Sequence, residues 1–322
     1  MFWKTRKIII DDLEYDAMSP SIISASRTTD IPAFHSEWLI NRFEAGYCKW
    51  VNPFNQKYTI ISLQDAKAIV FWSKYPKPML DKLRFFEDRD IIYYFQYTLN
   101  DYEVEGLEPN LPKLQERINA FKELADTIGR DRVIWRFDPL LLSGSLTVDI
   151  LLQRIINIAD EIQEYTNKLV FSFADIATYN KVQKKLYGKF REFAAEEIHE
   201  FCSKLKGVMS TRNLQLATCG EKIDLEKYDI LHNRCIDGEL LLKLNNNSKD
   251  IYDVVVDETL IDEVVYKKDK GQRAECGCSP SKDIGMRDTC PFMCNYCYAN
   301  SSDAIVKNNI KRFSKTGETI IG

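Results

Sequence analysis

The chain has 322 residues, with 44 Lys plus Arg against 48 Asp plus Glu, a net charge of −4, and 45% hydrophobic residues. These proportions exclude a disordered chain, and a charge so close to neutral excludes a strong overall pull on nucleic acid. No apolar run nears the ~20 residues of a membrane helix. The apolar stretch at Ile8–Ile10 gives out at Asp11, short of the ~7–15 apolar residues of a secretory signal, so the expectation is a cytoplasmic protein with no membrane contact.

Strand-like runs recur in chain order: Ile22–Ser26, Ala68–Trp72, Ile91–Tyr97, Val133–Phe137, Leu169–Phe173 and Leu214–Thr218. They are continuous rather than alternating, as in strands buried on both faces of a parallel sheet. Helical stripes lie between them. Phe34, Trp38, Leu39 and Phe43 form one. Leu111, Leu114, Ile118, Phe121, Ala125 and Ile128 form a second, closed by Gly129, and Leu151, Leu152, Ile155, Ile156, Ala159 and Ile162 a third. Tyr47–Leu63 reads as an inserted hairpin turning near Pro53. Strand followed by helix, six times over, predicts parallel βα units, wound either into an open doubly wound sheet or into a full or partial barrel. No GxGxxG or GxxxxGK[ST] turn follows any strand, which lowers the nucleotide-binding readings. The expected fold is α/β, a full or partial parallel (βα) barrel over residues 1–220. A cysteine-rich segment, 221–322, is expected to pack on the barrel mouth.

Chemistry in such folds gathers just past the strand ends. There the sequence places Arg27 and Asp30, Ser73 and Lys74, Arg136 and Asp138, Asp175, and Cys219 with Glu221. Arg27, Asp30, Arg136, Asp138 and Glu221 are the candidate catalytic residues. His35, His199 and His232 form no ligand-spaced pair, and His199 reads as structural. The basic run Lys181–Arg191 reads as a solvated helix face, and Trp72, Tyr93 and Trp135 as packing.

Nine cysteines in a reducing compartment point to metal ligands or catalysis rather than disulfides. Cys290, Cys294 and Cys297 form a C-x3-C-x2-C loop. Three thiolates on a four-iron, four-sulfide (4Fe–4S) cluster leave one iron without a protein ligand, open to a substrate. Zinc favours C-x2-C pairs and four closed ligands, and fits this loop less well. Cys219, Cys235, Cys276 and Cys278 are a second candidate set, for an auxiliary 4Fe–4S cluster or for zinc; the alternative is buried free thiols. Cys48 and Cys202 read as core.

The loop resembles the signature of the radical S-adenosylmethionine superfamily, C-x3-C-x-Φ-C, with Tyr296 at the aromatic position, and it is also similar to the cluster loop of spore photoproduct lyases. The whole chain resembles an uncharacterised bacterial family, domain of unknown function 1848, through Ser24–Pro32, Val51–Asn55, Val70–Lys74, Phe137–Pro139 and Cys276–Gly285. The superfamily resemblance implies an enzyme with a 4Fe–4S cluster on Cys290, Cys294 and Cys297, and Tyr296 on the cofactor-binding side. S-adenosylmethionine would be cleaved reductively, and a 5′-deoxyadenosyl radical would take hydrogen from a substrate of unknown identity. It also implies an external low-potential electron donor such as flavodoxin or ferredoxin, since the chain has no flavin or nicotinamide fingerprint. The lyase-like loop raises nucleic-acid repair or modification as a substrate class. Two departures stand out: the loop lies near the end of the chain rather than after the first strand, and no Gly-Gly-Glu is present. Asp30, Asp138 or Glu221 are the candidates for the role of that missing Glu. The alternative function is a non-catalytic iron–sulfur or zinc-binding protein for electron transfer or interaction.

Overall fold

The computed structural model describes residues 3–246, 248–257 and 264–322. Strands β1 (Lys4–Ile10) and β2 (Leu13–Ser19) form an antiparallel hairpin, turned by Asp11 and Asp12 at φ 50° and 63°. Two successive left-handed residues give the twist that a two-residue hairpin turn requires. There follow β3 (Ile22–Ala25), α1 (Ile31–Phe34), α2 (Ser36–Ala45), β4 (Tyr47–Val51) and β5 (Tyr58–Ser62). The β4–β5 hairpin is the expected insertion, and it joins the first hairpin in a four-stranded sheet ordered β1-β2-β5-β4. The chain continues with β6 (Ala68–Ser73), α3 (Arg84–Glu87), β7 (Ile92–Thr98), α4 (Leu114–Ile128), β8 (Val133–Leu140), α5 (Val148–Ile162), β9 (Lys168–Phe173), α6 (Asn180–Leu186), α7 (Ala195–Met209) and β10 (Gln215–Thr218). After residue 220 come β11 (Ile230–His232), α8 (Gly238–Leu244), α9 (Lys249–Val255), the paired two-residue strands β12 (Val256–Asp257) and β13 (Val265–Tyr266), then β14 (Lys282–Asp283) and α10 (Asp303–Lys311).

The main sheet has eight strands in the order β14-β3-β6-β7-β8-β9-β10-β11, and every neighbouring pair is parallel. The six strands expected from the sequence are its centre. Its two outer strands, β11 and β14, both come from the segment after residue 220, so the sheet runs across that point. They do not pair with each other. Among the described residues the sheet is therefore open at that seam and no closed barrel forms.

Both faces of the sheet are covered, which is why its strands read as unbroken apolar runs. Ile23, Ile69, Phe71, Tyr93, Phe95, Trp135, Leu169 and Phe171 point to one face and pack with buried residues of α2, α4, α5 and α7. Helix α5 shows why the layer forms. Thr147 caps its N-terminus by accepting from the Ile150 amide, and Leu151, Leu152, Ile155, Ile158, Ala159 and Ile162 make its buried stripe. Alternate residues, Ile22, Ala68, Val70, Ile92, Tyr94, Ile134, Val170 and Ala217, point to the second face. There they meet Cys235, Ile236 and Cys278, together with Leu241 and Leu242 of α8 and Ile251 and Val255 of α9. Among the described residues, no helix is long and apolar enough to cross a membrane.

Candidate functional site

The strand ends carry a buried polar network. Asp30 follows β3 and caps α1, accepting from the Ala33 amide at 3.0 Å. It also accepts from the Ser73 hydroxyl at 2.8 Å and the Lys74 amide at 2.7 Å. Burial pushes its carboxyl up to about 6, against these three hydrogen bonds. Lys74, just past β6, donates to Glu108 and to the Tyr296 hydroxyl, both at 2.8 Å. The Tyr296 hydroxyl in turn donates to Glu108, and Asn100 donates to Tyr296 at 3.0 Å and to Glu108 at 3.2 Å. Arg117 lies 3.6 Å from the second Glu108 oxygen. Burial alone would raise the Glu108 carboxyl, but Lys74 and Arg117 outweigh it and hold it below its ordinary range.

The cysteine loop docks on this network. Phe292 packs edge-on against Phe34 at 4.6 Å, His35 hydrogen-bonds the Thr289 carbonyl at 3.1 Å, the Asn295 amide donates to the Leu107 carbonyl at 2.8 Å, and Asn110 donates to the Pro291 carbonyl at 2.8 Å. Met293 turns the loop with a φ of 58°. The docking brings the thiols of Cys290, Cys294 and Cys297 within electrostatic reach of one another, with Asp30 near Cys290 and Lys74 near Cys294. Burial pushes the Cys294 thiol up to about 12, with Lys74 acting against it. Tyr296 is thus taken up in supporting the loop from below. Tyr298 stacks on Tyr179 at 5.4 Å and donates to the Arg27 carbonyl at 3.1 Å.

The second cysteine set lies on the α8 and α9 side of the sheet. The sulfurs of Cys219 and Cys235 are 3.0 Å apart, the Cys235 thiol also meets that of Cys278, and Cys278 meets Cys276. Arg136 donates to the Cys235 sulfur at 3.1 Å, and also to Asp138, which accepts from Ser172 as well. The guanidiniums of Arg27 and Arg136 lie 5.1 and 5.3 Å from the ring of Trp72. Glu221 accepts from the Phe173 amide at 2.9 Å, and burial pushes its carboxyl up to about 7.

The candidate residues therefore fall into two groups. Asp30 sits with the loop cysteines; Arg136 and Asp138 sit with Cys219, and Glu221 is near Asp138. Asp138 and Arg27 link the two groups: the Asp138 amide donates to Asn100 at 2.9 Å and its carbonyl accepts from Asn100 at 3.0 Å, while Arg27 touches Tyr298 through its backbone and faces Cys278 and Cys235 with its charge. Sequence reasoning left out Glu108, Asn100, Arg117 and the support role of Lys74. Only the position of Lys74 at a strand end signalled anything. Among the described residues, no three His, Cys, Asp or Glu side chains are disposed to hold a metal ion as they stand. The donor chemistry of the loop nonetheless suits a thiophilic cluster, being three thiols with no imidazole among them. Nine buried side-chain polar atoms lack a hydrogen-bond partner among the described residues; three of them, His35 Nδ1, Arg287 Nε and Asn300 Oδ1, lie in or beside the loop, and a fourth, Glu108 Oε2, has only the ion pair to Arg117. Buried polar atoms left without a protein partner are compatible with further atoms being held beside the loop.

A family profile described as domain of unknown function (DUF1848) matches residues 22–299, and the chain belongs to that family. No curated protein and no solved structure matches it.

Proposed function

We propose that this DUF1848 protein is a radical S-adenosylmethionine-type iron–sulfur enzyme, with Cys290, Cys294 and Cys297 as ligands of a 4Fe–4S cluster. The observation that carries the reading is that a C-x3-C-x2-C loop has its three thiols within electrostatic reach of one another beside the ends of parallel strands, close to buried polar atoms without a protein partner. When bound, such a cluster supplies the electron that cleaves S-adenosylmethionine, giving a radical that takes hydrogen from the substrate. The protein's own part is to hold and to shield. Lys74, Glu108 and Tyr296 fix the loop; Phe292 on Phe34 and Tyr298 on Tyr179 keep water from its flanks. Asp30, Arg27, Arg136, Asp138 and Glu221 are the polar groups available around it. Asp30 is the one placed beside Cys290, and it fits the role of meeting a cationic amino group there. Neighbouring strands follow chain order from β3 to β11, which supports a partial (βα) barrel as the frame. The reading places the enzyme in the cytoplasm with an external low-potential donor such as flavodoxin or ferredoxin. Its substrate class is open, nucleic acid included.

The test is anaerobic reconstitution with iron and sulfide, then dithionite and S-adenosylmethionine. The expected result is about four irons on the loop, a changed cluster resonance spectrum on adding S-adenosylmethionine, and formation of 5′-deoxyadenosine that is lost in Cys294→Ala. A verified cluster that gives no 5′-deoxyadenosine and no spectral change would instead favour the electron-transfer alternative.

A further inference from the structure

Cys219, Cys235, Cys276 and Cys278 come from three separate places: the end of β10, the turn after β11, and the stretch before β14. The fold brings all four thiols into one contiguous patch. Three donors point at two of its sulfurs. The Cys235 sulfur accepts from Arg136 at 3.1 Å and from Asn233 at 3.4 Å, and the Cys278 sulfur accepts from the Ile236 amide at 3.3 Å. Hydrogen bonds to ligand sulfur and a fixed ligand backbone are what orient metal ligands. Here the Cys235 carbonyl is pinned by Tyr94 at 2.7 Å and by Gln96 at 2.9 Å. The segments carrying Cys235 and Cys278 are tied by the Ser279 amide donating to the Ile236 carbonyl at 2.8 Å. Gly277, between Cys276 and Cys278, lies where a Cβ would come 3.1 Å from the Arg234 side chain.

We propose that these four cysteines bind a single thiophilic ion of the zinc class, separate from the loop of Cys290, Cys294 and Cys297. The close approach of two of its sulfurs favours one ion over a cluster. A zinc–sulfur bond of ~2.3 Å at tetrahedral angles sets neighbouring sulfurs ~3.8 Å apart. The Cys219 and Cys235 sulfurs are 3.0 Å apart, so this pair needs to open by about 0.8 Å to become neighbouring ligands. A four-iron cube, with irons and sulfides between its ligands, needs the sulfurs spread much further. Four thiolates leave a net negative charge on a divalent ion. The guanidiniums of Arg136 and Arg27, which face these sulfurs, offset part of it.

The test uses the full chain, purified anaerobically from cells supplied with both iron and zinc, with metals counted per chain. The wild type and Cys290→Ala/Cys294→Ala/Cys297→Ala are expected to carry about one zinc. Cys235→Ser and Cys278→Ser are expected to lose zinc at least about tenfold. Zinc-edge X-ray absorption on the wild type, which depends on no variant folding, should read four sulfur neighbours at ~2.3 Å. The proposal is overturned by zinc-free wild type after zinc reconstitution, by fewer than four sulfur neighbours, or by a loop variant that still carries about four irons. A Cys219–Cys235 disulfide in the anaerobic protein would overturn it as well.

Discussion

The two cysteine sets are built in opposite ways. The loop set lies within eight residues of sequence, Cys290 to Cys297, so chain geometry gathers its sulfurs and the fold need only dock the loop. The second set spans Cys219 to Cys278 and meets only because β10, β11 and the approach to β14 lie where they do. Their supports differ in kind. The loop rests on buried ions, Lys74, Glu108 and Arg117; the second set is held in an apolar cluster edged by Arg136 and Trp72. A site made by local spacing can be carried on a small, highly polar footing, whereas a site made by topology depends on the whole sheet.

The largest test of this contrast is Lys74→Met. Glu108 is left buried with Arg117 at 3.6 Å as its remaining cationic neighbour. Breaking a buried pair on one side costs about 3–5 kcal/mol, read as a lower urea midpoint. The double change Lys74→Met with Glu108→Gln should recover part of the loss, because no uncompensated charge stays behind. If the two regions are independent, Lys74→Met raises the alkylation rate of the loop thiols and leaves Cys235 protected. Equal exposure of both sets would show one cooperative unit instead.

Next in size is a pH effect in which the loop side carries two of the three buried groups. The Asp30 carboxyl stands at about 6, above its ordinary 3.8. The unfolded chain therefore gives up this proton first, and the contribution, whole below pH 3.8, is lost as pH rises to about 6. His35 stands at about 4, below its ordinary 6.5, through burial. Its contribution is whole above pH 6.5 and is lost as pH falls to about 4. At about 1.4 kcal/mol per unit, each amounts to about 3 kcal/mol, and in the wild type the two slopes oppose. Glu221, beside the other set, stands at about 7, above its ordinary 4.5, and adds a like loss between pH 4.5 and 7 in both proteins. Wild-type stability should therefore fall between pH 4.5 and 6, where Asp30→Asn, with the Glu221 and His35 slopes opposed, should stay nearly level. Parallel curves for the two proteins would sink this account.

The same contrast explains what could be read from the sequence. The six central strands and the β4–β5 hairpin were legible because burial on both faces, or alternation around a turn, leaves a pattern in the residues themselves. The loop cysteines were legible by spacing. The β1–β2 hairpin was not: its strands are mostly exposed, as at Lys4, Thr5, Arg6 and Lys7, and their one apolar run, Ile8–Ile10, is too short to mark a buried strand. Nor was β14, two residues long and defined by Asp283, whose carboxylate accepts from Ser24, Ser26, Arg27 and Gly285. Glu108 sits in a loop between β7 and α4 with no periodicity to mark it. That Cys219 would meet Cys235 and Cys278 depends on strand order, which spacing does not encode.

The smallest test lies at the joint between the two sets. Gly285 follows β14, between Cys278 and Cys290 in the chain, and is packed so closely on β3's end that a Cβ would stand 1.8 Å from Ser26 Oγ and 2.7 Å from Thr28 Oγ1. Ser26 cannot yield freely, because its hydroxyl donates to Asp283 at 2.8 Å and accepts from the Thr28 amide at 3.0 Å. Gly285→Ala should therefore cost about 1–3 kcal/mol, as overpacking does, while Gly144→Ala, with nothing within 4 Å of the added carbon, should leave the urea midpoint unchanged. Ser26→Gly in the Gly285→Ala background removes the obstructing side chain and should restore part of the loss; no restoration would place the strain elsewhere. Because β14 is pinned to β3 mainly through Asp283, the displacement should reach the loop before it reaches the sulfurs around Arg136. Loop thiols that alkylate faster in Gly285→Ala, beside a Cys235 that stays protected, would show that the closing strand serves the loop. The reverse order would make it a support of the second set.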